Sequence, residues 1–212
     1  MINEGICKGN TRKYYRFRKT QFYGGCATAD CLGCNLRCAY CWAQKKVWNS
    51  KKDGSYYSPN EVANTLISMN LPLVRISGGE PTICKPHLVG VISLIPKHRL
   101  FVLETNGLLL DEQYVKILSK FKNLYVRVSL KGVDERSFEI ITGSEGINFK
   151  KQLRALELLN RYGIENRAAI VVDIFTDEQI RRLQIPDLEF ESLMRYPFVV
   201  KNLKERGIPI VR

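Results

Sequence analysis

Cys34-Asn35-Leu36-Arg37-Cys38-Ala39-Tyr40-Cys41 carries three cysteines at Cys-x3-Cys-x2-Cys spacing. Three thiolates this close in sequence wrap one compact centre, and soft sulfur ligands suit an iron-sulfur cluster or zinc. Three ligands on a four-iron cube leave one iron open to a chelating small molecule, much as a catalytic zinc retains an exchangeable position. Cys31 pairs with Cys34 at Cys-x2-Cys spacing, as Cys38 does with Cys41. Only residues 35–37 separate the two pairs, far fewer than the roughly 12 or more of a zinc ribbon. A closed four-cysteine site through Cys31 stays open as an alternative, and it would have no free iron.

Outward from this loop, strand and helix signals alternate. Upstream, Gly24-Gly25 precede a strand-like or loop segment that delivers the cysteines, and Thr11–Thr20 reads TRKYYRFRKT, basic and aromatic together. Downstream, Ser58-Pro59-Asn60-Glu61 combines a capping serine, proline at the first helical position and glutamate three residues after the cap, so a helix starts near Pro59. Leu73 to Ser77, ending in Gly78-Gly79, and Arg99 to Thr105, ending in Asn106-Gly107, read as buried strands. A helix fits around His87 to Ile95, and another after the Asp111 cap, where Val115, Leu118 and Phe121 share a face. Leu124 to Leu130 is the next strand. Phe149 to Tyr162 reads as a helix closed by Gly163, Arg167 to Ile174 as a strand, and the rest is less regular. Such units imply parallel strands with right-handed crossovers, in an open α/β sheet or a β/α barrel.

A chain of 212 residues fits one domain, and 45% hydrophobic with 25% charged residues is the composition of a globular protein with a sizeable core. No linker or internal repeat marks a boundary. The 33 Lys and Arg against 21 Asp and Glu leave a net charge of +12, which favours acidic partners. The opening residues, Met1 to Lys8, hold no apolar run of leader length, and no segment approaches the ~18 apolar residues of a membrane span. A soluble, cytoplasmic protein without a membrane partner is the expectation. The seven cysteines are odd in number and five crowd between Cys26 and Cys41, which favours metal over disulfides. Cys7, Cys26, Cys31 and Cys84 are enough for a second cluster or a zinc site. His87 and His98, the two histidines, are expected at the surface, and no Walker A or dinucleotide fingerprint is present.

The eight-residue cysteine run resembles the cluster loop of the radical S-adenosylmethionine (radical SAM) enzymes, including the aromatic Tyr40 before the last cysteine. Ser77-Gly78-Gly79-Glu80-Pro81 is similar to that family's Gly-Gly-Glu-Pro motif. The resemblance covers roughly Cys26 to Ile174. It implies a partial (β/α)6 TIM-type barrel of the α/β class with a short basic N-terminal extension, as one domain over 1–212: extension 1–24, barrel core 25–185 and C-terminal segment 186–212. The sixth strand falls on Leu188 to Leu193, a weak candidate. The implied cofactors are a 4Fe-4S cluster on Cys34, Cys38 and Cys41, and S-adenosylmethionine (SAM). By the same resemblance Tyr40 contacts the adenine, and Ser77, Gly78, Gly79 and Glu80 hold the methionine amine.

Glu104-Thr105-Asn106-Gly107 and Ser129-Leu130-Lys131 resemble strand ends of the glycyl-radical-enzyme activases, a subgroup of the family. That likeness sets Glu104, Asn106, Ser129 and Lys131 near the SAM ribose or methionine part, with Ser129 where the activases usually have aspartate. Arg167 resembles an arginine that meets the SAM carboxylate. The implied activity is reductive cleavage of SAM to a 5'-deoxyadenosyl radical, with electrons from an external flavodoxin- or ferredoxin-type donor. The activase likeness favours a macromolecular substrate, a glycyl radical made on a partner protein. The basic, aromatic stretch from Arg12 to Lys19 favours RNA instead. A third reading is a non-enzymatic iron-sulfur or zinc protein that binds nucleic acid or passes electrons.

Overall fold

The computed structural model describes residues 5–48 and 53–212, so the leader reading made on the opening residues falls partly outside the described residues. Strands β1 (Cys7–Lys8) and β2 (Thr11–Thr20) are antiparallel, and β2 runs antiparallel to β3 (Cys26–Cys31). After the cysteine loop come the single turn α1 (Gln44–Val47), the short strand β4 (Ser55–Tyr57) paired back on β2, and α2 (Pro59–Ser68). Then follow β5 (Leu73–Gly78), α3 (Lys85–Leu94), β6 (Leu100–Thr105), α4 (Glu112–Leu118) and β7 (Leu124–Leu130). Helices α5 (Glu135–Thr142) and α6 (Asn148–Arg161) lead to β8 (Glu165–Val171), α7 (Asp177–Arg181), β9 (Glu189–Glu191) and α8 (Pro197–Glu205).

The sheet order is β1-β2-β3-β5-β6-β7-β8-β9. From β3 to β9 every neighbouring pair is parallel, which makes these six described strands a partial (β/α)6 barrel with β2 laid along its first edge. The sixth strand lies within the weak candidate Leu188 to Leu193. Helix α2 starts as its sequence dictates: Ser58 accepts from the Glu61 N–H while the Glu61 carboxylate accepts from the Ser58 N–H.

Period-2 alternation divides each strand between two environments. In β7, Leu124, Val126, Val128 and Leu130 are buried against the helices, so Arg127 and Ser129 take the opposite, inner face. In β5, Val74 and Ile76 face the helical layer while Arg75 and Ser77 face inward, and Glu104 of β6 stands opposite Arg127 in register. The apolar runs that announce the strands therefore carry a polar inner row.

Several expectations change. The basic stretch is a ten-residue strand, β2, with Arg12 and Tyr14 fully buried, and not a solvated extension. Tyr14 packs on Phe17, Tyr57 and His87, so it is absent from any stacking platform for RNA. Helices α5 and α8, which open at Asp134 and at the proline after Tyr196, are additional to those the sequence reading expects. Cys7 and Cys84 form a disulfide between β1 and the start of α3, where the cysteine count favoured metal over disulfides. A short-range count cannot see a pair 77 residues apart. Cys26 is buried beside Thr20 and Thr28.

His87 is also buried rather than at the surface. Its Nδ1 lies 3.0 Å from the Asn10 carbonyl oxygen and its Nε2 2.9 Å from the Tyr14 hydroxyl. The carbonyl can only accept, so Nδ1 carries the proton and Nε2 accepts from Tyr14, which fixes the neutral tautomer. Burial disfavours the imidazolium and lowers the pKa to about 4 from the ordinary 6.5. Between those values the unfolded chain binds the extra proton and the folded chain does not, so stability is complete above pH 6.5 and is lost on acidification toward 4. A loss of about 2–3 kcal/mol across that window is expected in urea titrations. His87→Gln should flatten this pH dependence while lowering stability at pH 7.

Candidate active site

The cysteine loop leaves the end of β3 and is fastened on three sides. Leu32 donates its N–H to the Lys13 carbonyl of β2. Arg37 and Ala39 donate theirs to the Thr142 and Ile141 carbonyls at the end of α5. From α8, Asn202 reaches the Ala39 carbonyl at 3.2 Å, and Arg206, just beyond its end, donates to the Arg37 carbonyl at 2.8 Å and the Ile141 carbonyl at 2.7 Å. The C-terminal segment, outside the reach of the sequence resemblance, is thus a clamp on the loop.

The turn after β5 packs directly on the first residues of that loop. The Gly79 and Glu80 N–H groups donate to the Cys31 and Gly33 carbonyls, each at 2.7 Å. A Cβ on Gly79 would lie 2.0 Å from the Gly33 oxygen, and Gly78 has φ +94° with its Cβ position 2.8 Å from the Cys31 oxygen. Only glycine allows both this approach and this backbone conformation. The Glu80 carboxylate is fully engaged inside the turn: one oxygen accepts from the Thr82 N–H (3.0 Å), the Thr82 hydroxyl (2.6 Å) and the Thr105 hydroxyl (2.7 Å), and the other from the Asn106 N–H (2.7 Å). It welds the β5 turn to the β6 end.

Arg12 ties the same pieces from below. Its buried guanidinium donates to the Pro81 carbonyl (2.8 Å), the Glu80 carbonyl (2.7 Å) and the Leu32 carbonyl (3.0 Å), and it lies 3.2 Å from the Cys31 sulfur. Cys31 is buried under Arg12 and does not line the cleft, so the closed four-cysteine alternative gains nothing from its position. Gln152 of α6, fully buried, braces two further strand ends by donating to the Asn106 and Ser129 carbonyls and accepting from the Lys131 N–H.

These devices frame one cleft of roughly 670 Å³. Cys34, Cys38 and Cys41 line it together with Tyr40, Ser77, Gly78, Gly79, Glu80, Glu104, Asn106, Ser129 and Lys131. Arg167 is the exception: it is exposed, with Nη1 3.8 Å from Glu189, and is not part of the lining. Inside, two charge networks cross the barrel. Glu104 accepts from Arg75 (3.0 Å), Ser77 (2.7 Å) and Tyr23 (2.8 Å), while Arg127 donates to Glu189 (2.5 Å) and Glu191 (2.7 Å). Burial alone would raise the Glu104 pKa, but Arg75 and the two hydroxyl donors hold it below the ordinary carboxylate value. Arg75 and Arg127 were missed in the sequence, although each is a charge interrupting an otherwise apolar strand, which signals an inner-face position.

Burial raises the pKa of all three loop thiols, Cys41 to about 11, and the neighbouring sulfurs push Cys34 and Cys41 further. Thiolates crowded in this way require a positive centre to displace their protons. Among the described residues no three His, Cys, Asp or Glu side chains converge where one metal ion would sit. Three cleft-lining thiols match in number and softness the ligand set of a 4Fe-4S cube with one open iron. The Leu36 N–H lies 3.4 Å from the Cys34 sulfur, a donor of the kind that tunes such clusters. Beside them the half-buried Lys131 ammonium sits 5.6 Å over the Tyr40 ring. Burial would lower the Lys131 pKa, but Tyr40, Cys38 and Glu191 raise it above its usual value.

A parallel partial barrel whose first loop carries three cleft-facing thiols, next to a glycine turn locked on that loop, is the frame of a cluster-dependent enzyme superfamily. The chain belongs to the radical SAM superfamily, whose family model matches residues 31–184. Members of that superfamily use a 4Fe-4S cluster and SAM. The chain is 34% identical over 134 residues to the Fe-coproporphyrin III synthase of Methanosarcina barkeri, covering 62% of this chain and 33% of the relative. It is 32% identical over 187 residues to the GTP 3',8-cyclase of a Synechocystis species, covering 82% of this chain and 55% of the relative. The chain thus spans between a third and just over half of these relatives' lengths. Among solved structures, Streptococcus suis SuiB bound to its precursor peptide SuiA superposes with a TM-score of 0.61 at 20% identity, over 84% of this chain and 45% of that one. The structure of native anSMEcpe with bound AdoMet and the Kp18Cys peptide gives 0.58 at 23%, over 76% and 49%. Among the described residues no helix is long and apolar enough to cross a membrane.

Two substitutions test the frame. Arg12→Met strands three buried carbonyls and should cost about 3 kcal/mol, a fall in Tm of roughly 6–12 °C for a chain of this size. Gly79→Ala drives a methyl group into the Gly33 carbonyl and should cost about 1–3 kcal/mol in the same melting experiment.

Proposed function

We propose that the chain is the catalytic barrel of a radical SAM enzyme that acts on a small molecule held in the inner half of the cleft. The observation that carries this reading is the convergence of the three thiols, the glycine turn and the ends of β6 and β7 on one cavity. In this reading Cys34, Cys38 and Cys41 hold the 4Fe-4S cluster, and Tyr40 offers its ring to the adenine of SAM. The Gly78-Gly79 backbone receives the methionine amine, with the Glu80 side chain shaping the turn rather than touching the ligand. Ser77, Glu104, Asn106, Ser129 and Lys131 border the ribose and methionine part. Arg167 acts at one remove, through Glu189. With both groups bound, reductive cleavage of SAM supplies a 5'-deoxyadenosyl radical that abstracts hydrogen from the substrate. The barrel's own work is to exclude water from that radical and to orient the substrate.

A small-molecule substrate is supported by the charged inner row, Arg75, Glu104, Arg127, Glu189 and Glu191, which offers polar groups deep in the cavity. It also accords with the named activity of the Synechocystis relative. The activase-like reading, a glycyl radical on a partner protein, draws on a different observation: Trp42, Phe190, Met194 and Tyr196 are exposed and apolar along the cleft. The electron donor in either case is an external flavodoxin- or ferredoxin-type protein, whose acidic surface would suit the net charge of +12. A cytoplasmic setting belongs to the same proposal.

Anaerobically reconstituted protein given dithionite and SAM should form 5'-deoxyadenosine, and its reduced-cluster EPR signal should shift when SAM is added. Cys38→Ala should lower product formation at least about a hundredfold, the scale of losing a group required for the chemical step. An unshifted signal without product would instead assign the cysteines to a closed, non-enzymatic site.

A further inference from the structure

Strand β2 does more than extend the barrel. Its pairings with β1 and β4 end by Tyr14, and the register against β3 shifts between Tyr14 and Arg16. Beyond that irregularity Arg16 and Arg18, two apart and so on one face, both line the cleft. Each donates its Nε to the same oxygen of Asp30, at 2.7 and 2.8 Å. The Asp30 side chain is fully buried. Among the described residues no protein acceptor engages the terminal nitrogens of either guanidinium, and the two side chains retain 41% and 28% exposure.

The other arginines of the cavity each face at least one carboxylate. Arg75 is paired with Glu104, and Arg127 with Glu189 and Glu191. Arg16 and Arg18 share one carboxylate, which leaves an excess of one positive charge at this lip. Asp30 fixes both stems, so the two forks are held in place before any ligand arrives, and little side-chain entropy remains to be lost on binding.

We propose that Arg16 and Arg18 form a binding site for the phosphate group of a small phosphorylated substrate. This deepens the small-molecule reading above and rests on it for the identity of the cavity. A terminal phosphate carries a charge near −2 and three acceptor oxygens, enough to receive two guanidinium forks, whereas a carboxylate has one charge and two oxygens. Arginine, rather than lysine, suits such paired recognition. RNA is the weaker occupant because, of the aromatics in this stretch, Tyr14 is buried against His87 and Tyr57, Phe17 is packed on Tyr14 and Tyr57, and Tyr15 is half-buried.

The test is calorimetric titration of the reconstituted protein with inorganic pyrophosphate at constant ionic strength. The Arg16→Gln/Arg18→Gln pair should raise Kd at least tenfold, and Arg16→Lys/Arg18→Lys, which keeps the charge but not the forks, at least threefold. Lys150→Gln, a surface control, should stay within twofold of the unsubstituted protein. Thermal melts accompany each variant, and if the glutamine pair does not fold around Asp30, the lysine pair decides. The proposal is overturned by Kd values within twofold for the folded arginine variants, by no binding at millimolar pyrophosphate, or by acetate displacing pyrophosphate at equal ionic strength. A single-stranded ribo-oligonucleotide that binds tighter than pyrophosphate through the same arginines would also overturn it. Pyrophosphate binding needs no turnover. Protein that binds it yet forms no 5'-deoxyadenosine keeps this site and loses the function proposed above, and the converse result does the reverse.

Discussion

The buried guanidinium of Arg12 holds the start of the cysteine loop and the glycine turn in one geometry. A cation removed from water is costly unless its donors find acceptors, and here the Leu32, Glu80 and Pro81 carbonyls engage the two terminal nitrogens, while the buried Nε has no acceptor among the described residues. Those carbonyls belong to the two segments whose relative position defines the cleft. Arg12 comes from β2, so a strand outside the six-stranded barrel sets the spacing between the barrel's first two loops. The remaining fastenings answer the same need. Glu80 joins the β5 turn to the β6 end, Gln152 joins the ends of β6 and β7, and Asn202 and Arg206 press the cysteine loop from the far side.

Inside this frame charge is handled by neutralisation in layers. The inner faces of β5, β6, β7 and β9 carry arginines and glutamates that pair between β5 and β6 and, across β8, between β7 and β9. Pairing of this kind keeps a polar, low-water cavity from collapsing onto an unpaired charge, at the cost of desolvating every member. It also leaves the few unspent donors conspicuous. The terminal nitrogens of Arg16 and Arg18 are such donors, and their position on the open lip gives the high net charge a local meaning.

The sequence was legible where one residue type answers one local demand. The capping box at Ser58 and Glu61, the Asp111 cap, the strand Leu124 to Leu130 and the cysteine spacing all depend on neighbours within a few positions. The site was legible for the same reason, since the thiols, the glycine turn and the strand-end polar residues are short motifs. Arg167 is the third residue of β8, in register with Arg127, yet its side chain is exposed, does not line the cleft and reaches Glu189 instead. The burial of His87 and the Cys7–Cys84 disulfide escaped because each depends on a partner 77 residues away, and the sheet role of the basic stretch because β2 also pairs with β4, far along the chain.

What the sequence alone determined is the chemistry on offer: three thiols in a loop, glycines that permit a close turn, and an alternating strand and helix order that commits the chain to parallel strands. Tertiary structure decided which of those groups meet. Period-2 alternation assigns Arg75 and Arg127 to an inner face only once the barrel curves and gives that face an inside. The register shift in β2 turns Arg16 and Arg18 toward the cleft only because β3 lies beside it and supplies Asp30. Local propensity acts over a few residues, whereas the meaning of a charge depends on the surface that closes over it.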